Sequence, residues 1–535
     1  MAVIKASWND LMQLCRGVIR EAELEELLDR IGAPLDDRDG DTLYIEVTPD
    51  RPDYLAVEGI AYALMTMAGN KPALDLSLKS SGITVSVEGV HTRPYIASLV
   101  ARNVFFSEQA LLCSMQLQEK MHDTFGRKRR KIAIGMHDLD KIKGNIIKYY
   151  AGNGNEEFIP LFESSKMSLK DVLLNTEKGR EYAHLVIDDE YPLVCDGEGI
   201  IAFPPILNSE RTKLSEATRN VFVDITGLDR KSVENAAAII ALALMMRGGQ
   251  VQTVEIDYGT EKFNCPSMID KAVEFSPQFA NKLLGTKFNI REISKLLSKT
   301  GISIKKSGAK YLAYYPAWRV DILGNSDIAE EIAVAYGYNE FIPEKPELFT
   351  IGKETGGERN ALRSIMLSLG FSEVNTFMLS NELEEFEAIG ISKEGCVRIE
   401  NPLTEEHTIV RRSLVPSMLR TIQNNKMHRL PLRLFEIGEV VDENGNNEWR
   451  LCASVYGEGA SFDLISGVFC ALCNEFKIKY HGEPITLPYL IKGRAARSAM
   501  RNGSYAVFGE LNPSIIRRYG LEHPVAILEV SVKGF

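Results

Sequence analysis

The stretch RVDILGNSDIAEEIAVAYGYN places Asp321, Asp327, Glu330 and Glu331 within eleven residues. Asp327, Glu330 and Glu331 stand at i, i+3 and i+4, the spacing that puts side chains on one face of a helix. They also fall in its first turn, where carboxylates complement the helix dipole. Asp321 precedes the turn and can fold back toward them. Hard oxygen ligands with no neighbouring His or Cys suit Mg²⁺, which takes few carboxylates and keeps its waters. The same residues also describe a capped, solvated acidic helix start, and spacing alone leaves both readings open.

Two further constellations could do chemistry. In GRKRRKIAIG, Arg127, Lys128, Arg129, Arg130 and Lys131 are five consecutive cations. They read either as a solvated surface turn or as an edge facing the phosphates of a nucleic acid. In FPPILNSE, followed by NVFVDITG, Pro204 and Pro205 stiffen a loop, while Asn208, Ser209, Asp224 and Thr226 set polar groups between apolar strands. A satisfied structural network and a substrate pocket would look alike here. Cys470 and Cys473 form a CxxC inside the apolar run SGVFCALCNEF, with no second pair to complete a zinc site, and read as a buried helical face. No Ser/His/Asp or Cys/His spacing argues for a protein nucleophile.

The elements that must position these residues follow from periodicity. Leu24, Leu27, Leu28 and Ile31 form one helix face that stops at Gly32. Leu43, Ile45 and Val47 alternate as in a strand, and an apolar-periodic helix runs to Gly69. Strands are expected at ITVSVEG, ASLVARNVFF, KIAIGMHDLDKI and NVFVDITG, a helix at EQALLCSMQLQEKMHDTFG, a turn at DGEG, and a long apolar helix at SVENAAAIIALALMMRGG. SPQFANKLLG, REISKLLSKTG and DIAEEIAVAYGY read as three helices around the hairpin IKKSGAKYLAYYP. Mixed helices and strands follow, including ERNALRSIMLSLGF, RLFEIGEVV, LCASVYGEG and VAILEVSV. Antiparallel-looking strands with few βαβ units predict an α+β multidomain chain. Its expected divisions are residues 1–85, 86–265, 266–345 and 346–535.

Bulk properties narrow the class. A chain of 535 residues exceeds one core and predicts roughly three to five domains. Its composition, 45% hydrophobic and 25% charged, is that of a globular protein. The longest apolar run, Ala236 to Met246, is about half a membrane span, and MAVIKASWND lacks the apolar core of a secretory signal. Together with eight scattered cysteines, these features predict a protein of the reducing cytoplasm with no membrane partner. A net charge of −11 is unlike a free-standing nucleic-acid binder, although local patches carry the electrostatics of RNA contact.

Several blocks, in order, resemble one family. TPDRPDYLAVEGIA is similar to its N-terminal NRPDxLSxEG element, with Asp50 in place of Asn. RPYIASLVARNV, MQLQEKMHDTFGRKRRKIAIGMHDLDKI and FPPILNSE resemble its central domain, and YPAWRVDILGNSDIAEEIAVAYGYN its metal-bearing helix. NPLTEEHTIVRRSLVPSMLRTIQNN, LFEIGEVV and FGELNP resemble its C-terminal domain. The family is that of phenylalanyl-tRNA synthetase β subunits of the archaeal and eukaryotic cytosolic type.

That resemblance implies four parts: an N-terminal α/β domain, a mixed α/β tRNA-editing domain, a small helical, winged-helix-like domain that binds magnesium, and a class II synthetase-like antiparallel-sheet domain without catalysis of its own. It implies Mg²⁺ on Asp321, Asp327, Glu330 and Glu331, which complete the pattern D-x-x-x-x-x-D-x-x-E-E. The sequence has no GxGxGxxR to hold ATP phosphates; the nearest stretch, KGRAARSAMRNG, does not match. ATP-dependent attachment of phenylalanine to tRNA(Phe) then falls to a separate α subunit in an α₂β₂ assembly. The editing domain implies hydrolysis of mischarged Tyr-tRNA(Phe) by a bound water. Asp224 and Thr226 match polar positions of that pocket, Asn208 and Ser209 adjoin them, and Arg127 to Lys131 are candidate tRNA contacts. Ile201 and Ala202 depart from an expected polar position. The alternatives are a non-enzymatic RNA-binding or assembly protein of the same family, or a stand-alone metal-dependent hydrolase.

Overall fold

The structure, a computed structural model, describes residues 2–308, 310–345, 352, 356–393 and 395–535. The stretch read as a long apolar helix is Arg230–Met246, buried continuously from Ala236 to Met246. A helix that is apolar on every side must be covered on every side. It lies on the strands Tyr95–Arg102, Val221–Gly227 and Gln250–Asp257, with the helix Val57–Met67 over it. Just past its end, Arg247 pairs with Asp10 and Glu58, each at 2.6 Å, with all three side chains at most 8% exposed. These pairs tie the N-terminal segment to the central helix.

The chain forms two compact units, Met1–Lys345 and Pro346–Phe535; residues 346–351, where the last expected division begins, lie outside the described residues. In the first unit, Ala2–Ser7, Thr42–Val47 and Leu35–Asp39 make a three-stranded antiparallel sheet. The helix Glu21–Arg30 buries Leu24 and Leu28, as its spacing predicts. A ten-stranded sheet follows. Its order is Leu207–Asn208, Gly199–Phe203, Tyr191–Asp196, Ile146–Gly152, Lys79–Glu88, Gln250–Asp257, Tyr95–Arg102, Val221–Gly227, Ile132–Asp138, with Lys262–Cys265 beside Gln250–Asp257. Only the pairings of Lys79–Glu88 with its two neighbours are parallel. The DGEG turn joins Tyr191–Asp196 to Gly199–Phe203.

Residues 271–336 carry three helices, Pro277–Leu284, Ile290–Ser298 and Asn325–Tyr336, on an antiparallel sheet ordered Lys271–Phe275, Lys310–Tyr315, Ser303–Ser307. Phe275, Ile293, Leu297, Ile328 and Ile332 form its core. The sequence shows only the hairpin of this sheet; Ala309 lies outside the described residues. Lys271–Phe275 escapes notice because Phe275 alone of its side chains is fully buried.

The second unit is a seven-stranded sheet, antiparallel except for its first pair. Alternation builds two cores on it: Ala526, Leu528 and Val530 pack with the helices Gly357–Ser368 and Phe462–Glu475, and Val525 and Ile527 with the helix Val415–Asn425. Cys473 is buried on one of these helices, and burial pushes its thiol up to about 11. Among the described residues no helix is long and apolar enough to cross a membrane.

Candidate functional site

The ten-stranded sheet curls until its terminal strands approach. Asn208 on one edge donates from Nδ2 to the carbonyl of Met136 on the other, at 3.4 Å. A cavity of about 480 Å³ opens along this seam, with Met115, Phe203 and Leu214 in its wall. Ligand pockets commonly hold about 300–1,000 Å³.

Asp224 lies at the floor of this cavity. Its strand, Val221–Gly227, runs between Tyr95–Arg102 and Ile132–Asp138, which sets Asp224 opposite Gly135 and Ser98. The carboxylate is 1% exposed, so it needs a partner. His137 supplies one: Nε2 is 2.7 Å from Asp224 Oδ1, and Nδ1 is 2.8 Å from Thr212 Oγ1. A neutral ring donates from Nε2 to Asp224 and accepts the Thr212 hydroxyl at Nδ1; an imidazolium donates at both nitrogens. In either form Asp224 is held as an acceptor in one orientation. A Cβ at Gly135 would meet Asp224 Oδ1 at 2.3 Å, His137 Nε2 at 2.9 Å and Asn208 Oδ1 at 3.0 Å. Glycine keeps this floor open.

Asn208 and Asp224 therefore come together on the cavity, while Ser209 and Thr226 turn to other partners. Thr226 Oγ1 accepts from Arg93 Nε at 2.9 Å, and its carbonyl from Arg93 Nη2 at 3.0 Å. Arg93 is buried among carbonyls, and burial pushes its guanidinium down to about 10. Ser209 donates to the Ile159 carbonyl at 3.3 Å and accepts the Arg211 N–H. Ile201 and Ala202 are wholly buried in the strand Gly199–Phe203.

The basic run divides. Arg127, Lys128 and Arg130 are exposed and Lys131 half-buried, but Arg129 is buried. Arg127, Lys128 and Arg129 all have left-handed backbone, φ 51°, 54° and 62°. Within this turn Arg129 points inward. It donates to the carbonyls of Pro205 and Ile206 at 3.1 and 2.6 Å, pairs with Glu119 at 3.0 Å, and lies over the Tyr182 ring. It thus clamps the FPPILNSE loop that forms one wall. His122 and then Arg129 hold the Glu119 carboxyl down, at about 2.

The four carboxylates of the acidic helix do not face one ion. Arg319, 3% exposed, sits between two of them. Its Nε and Nη2 donate to Asp321 at 2.9 and 2.6 Å, and its Nη2 and Nη1 to Glu331 at 2.6 and 3.2 Å. Arg51 stands 4.0 Å from both carboxylates and is itself bonded to Asp53. Asp327 Oδ2 accepts the N–H groups of Leu323 and Gly324 at 2.6 and 2.8 Å, the helix-capping role. Glu330 is exposed, and partial desolvation, then the charges of Glu331 and Asp50, raise its carboxyl. Among the described residues no three His, Cys, Asp or Glu side chains are disposed to hold a metal. As placed, this donor set does not fit Mg²⁺, because guanidinium groups already neutralise Asp321 and Glu331.

Of the residues singled out in the sequence, Asp224 and Asn208 line the cavity; His137, Gly135 and Thr212 are not among them. The one signal available was a histidine inside the apolar strand KIAIGMHD.

Comparison with known proteins bears on this geometry. Residues 124–248 match the B3/4 domain, residues 273–338 the tRNA synthetase B5 domain, and residues 349–532 the phenylalanyl tRNA synthetase beta chain CLM domain. The chain is 34% identical over the full length of both chains to the phenylalanine–tRNA ligase beta subunit of Methanocaldococcus jannaschii. It is 33% identical to that of Archaeoglobus fulgidus, covering 100% of this chain and 99% of the other. A crystal structure of an N-terminal fragment of the phenylalanyl-tRNA synthetase beta-subunit from Pyrococcus horikoshii matches with TM-score 0.60 and 35% identity, covering 63% of this chain and all of that fragment.

Proposed function

The chain belongs to the phenylalanyl-tRNA synthetase β-subunit family, and we propose that its seam cavity hydrolyses tyrosine from mischarged tRNA(Phe) in the cytoplasm. The observation that carries this reading is Asp224, fixed by His137 at the floor of an otherwise mainly apolar pocket and left room by Gly135. A site that binds phenylalanine by its apolar ring rejects an analogue with one added hydroxyl only about a hundredfold. A second site that hydrogen-bonds the hydroxyl discriminates in the other direction by about 10⁴ or more, because the unsubstituted ring leaves a buried acceptor unpaired. Asp224 is such an acceptor for a phenol O–H. Among the described residues no Ser or Cys lines the cavity, and the hydroxyl of Thr176 is engaged with the Val172 carbonyl and the Gly179 N–H, so the attacking group in this reading is water.

Substitution of Asp224 by alanine tests the reading. Asp224→Ala should stop deacylation of Tyr-tRNA(Phe) and leave phenylalanine charging by the assembled enzyme intact. Deacylation at the parental rate in that variant would overturn it. In this reading residues 86–265 carry deacylation and residues 346–535 carry a class II-like fold that needs an α subunit for ATP-dependent charging, in an α₂β₂ assembly. Exposed Phe377, Leu403 and Met427 on the second unit support a covered face there. Charging of tRNA(Phe) by this chain with a co-expressed α subunit, and not by this chain alone, is the expected result. Arg319 would have to release Asp321 and Glu331 to admit Mg²⁺.

A further inference from the structure

At the rim of the same cavity stands Phe162, 70% exposed, with backbone φ 69°. A scattered surface phenylalanine needs no account. This one adopts a left-handed conformation that bulky side chains rarely take, and its neighbours hold it there. Glu210 accepts the Phe162 N–H at 2.7 Å, which keeps that carboxyl below the usual carboxylate range. The Leu161 N–H donates to the Asn208 carbonyl at 2.9 Å, and the Glu210 N–H to the Ile159 carbonyl at 3.0 Å. The turn that carries Phe162 is therefore pinned to the strand end that brings Asn208 to the cavity. Lys213 places its Nζ 4.4 Å from the centre of the Phe162 ring and 3.3 Å from Glu210.

Strain held in place by several hydrogen bonds, ending in an exposed ring at a cavity mouth, points to a ligand. An aminoacyl ester entering the cavity carries its nucleoside behind it, so the nucleobase is left at the mouth. With Lys213 over one face of the ring, the opposite face suits a stacked base and the lysine its neighbouring phosphate. We infer that Phe162 is the stacking platform for the 3′-terminal nucleobase of the tRNA, with Lys213 beside it for the adjoining phosphate. The inference rests on the deacylation reading for what enters the cavity, but its test does not need hydrolysis.

The probe is tRNA(Phe) carrying 2-aminopurine as its 3′-terminal base, titrated with the full chain. Stacking on Phe162 quenches its fluorescence in the parent and in Phe162→Trp. Phe162→Gly removes the ring and relieves the backbone, since glycine accepts φ 69° freely. This variant should melt no lower than the parent yet lose the quench. Its KM for Tyr-tRNA(Phe) should rise about 5- to 150-fold, the range of one base–aromatic stack, with kcat little changed. Quenching that persists in Phe162→Gly, or is missing in the parent, overturns the inference. A Phe162-dependent quench in a chain that does not deacylate would sustain the platform and sink the deacylation reading. Deacylation that needs Asp224 but ignores Phe162 would do the reverse.

Discussion

Replacing Arg319 by methionine removes the cation on which a buried and a half-buried carboxylate, Glu331 and Asp321, converge. Glu331 is 6% exposed and the Asp321 side chain 14% exposed, and Arg319 donates to both at distances down to 2.6 Å. After the substitution the nearest remaining guanidinium is Arg51, at 4.0 Å and already engaged with Asp53. Breaking a buried ion pair by removing one partner costs about 3–5 kcal/mol, because the other charge stays desolvated. Since a chain of several domains does not unfold in one step, the effect is best read locally. Amide hydrogen exchange of the helix Asn325–Tyr336 should speed up by about two to three and a half powers of ten, the same energy at 1.36 kcal/mol per decade. The double variant Arg319→Met/Glu331→Met should recover part of the loss, because it no longer buries an unpaired Glu331. Exchange within about tenfold of the parent in Arg319→Met, a difference under about 1.4 kcal/mol, would show that these carboxylates do not depend on the arginine.

Three more outcomes follow from the same structure. Chelators should leave exchange in Asn325–Tyr336 unchanged in the parent, because Asp321, Glu331 and Asp327 already have protein partners; lost protection in EDTA would show a cation among them. Thr226→Val deprives Arg93 of one acceptor and should destabilise by about 1–3 kcal/mol while leaving deacylation per folded molecule intact, whereas lost deacylation at unchanged stability would place Thr226 in the chemistry. Burial pushes Glu385 up to about 7 from an ordinary 4.5, although it accepts the Arg412 and Ser413 N–H groups. The folded chain then binds this proton more tightly than the unfolded one, so the Glu385 contribution to stability is full below the ordinary carboxylate range and is lost as pH rises to about 7, by about 3 kcal/mol. Glu385→Gln should flatten that slope in thermal melts at several pH values, and an unchanged slope would exclude Glu385 as its source.

Local pattern made much of the secondary structure legible. Leu24 and Leu28 sit on the buried face their spacing predicts, and the apolar run Ala236–Met246 is the covered helix it reads as. The seam was not legible, because Asn208 and Met136 lie on opposite edges of a ten-stranded sheet, and strand order leaves no trace in periodicity. The basic run shows the same limit. Arg129 is chemically identical to Arg127 and Arg130, and only a left-handed turn sends it inward to Pro205 and Ile206.

The acidic helix carries the more general lesson. Counting carboxylates along RVDILGNSDIAEE leaves a bound ion and a solvated helix start both open, since four like charges in so short a span repel one another unless solvent or a counter-charge intervenes. The same stretch contains the intervening charge, Arg319, two residues before Asp321 and twelve before Glu331. A divalent cation and a buried guanidinium answer the same electrostatic demand, and the guanidinium does so with fixed, directional donors. What separates these readings is where the Arg319 side chain points: it lies against Asp321 and Glu331, with Arg51 4.0 Å from both.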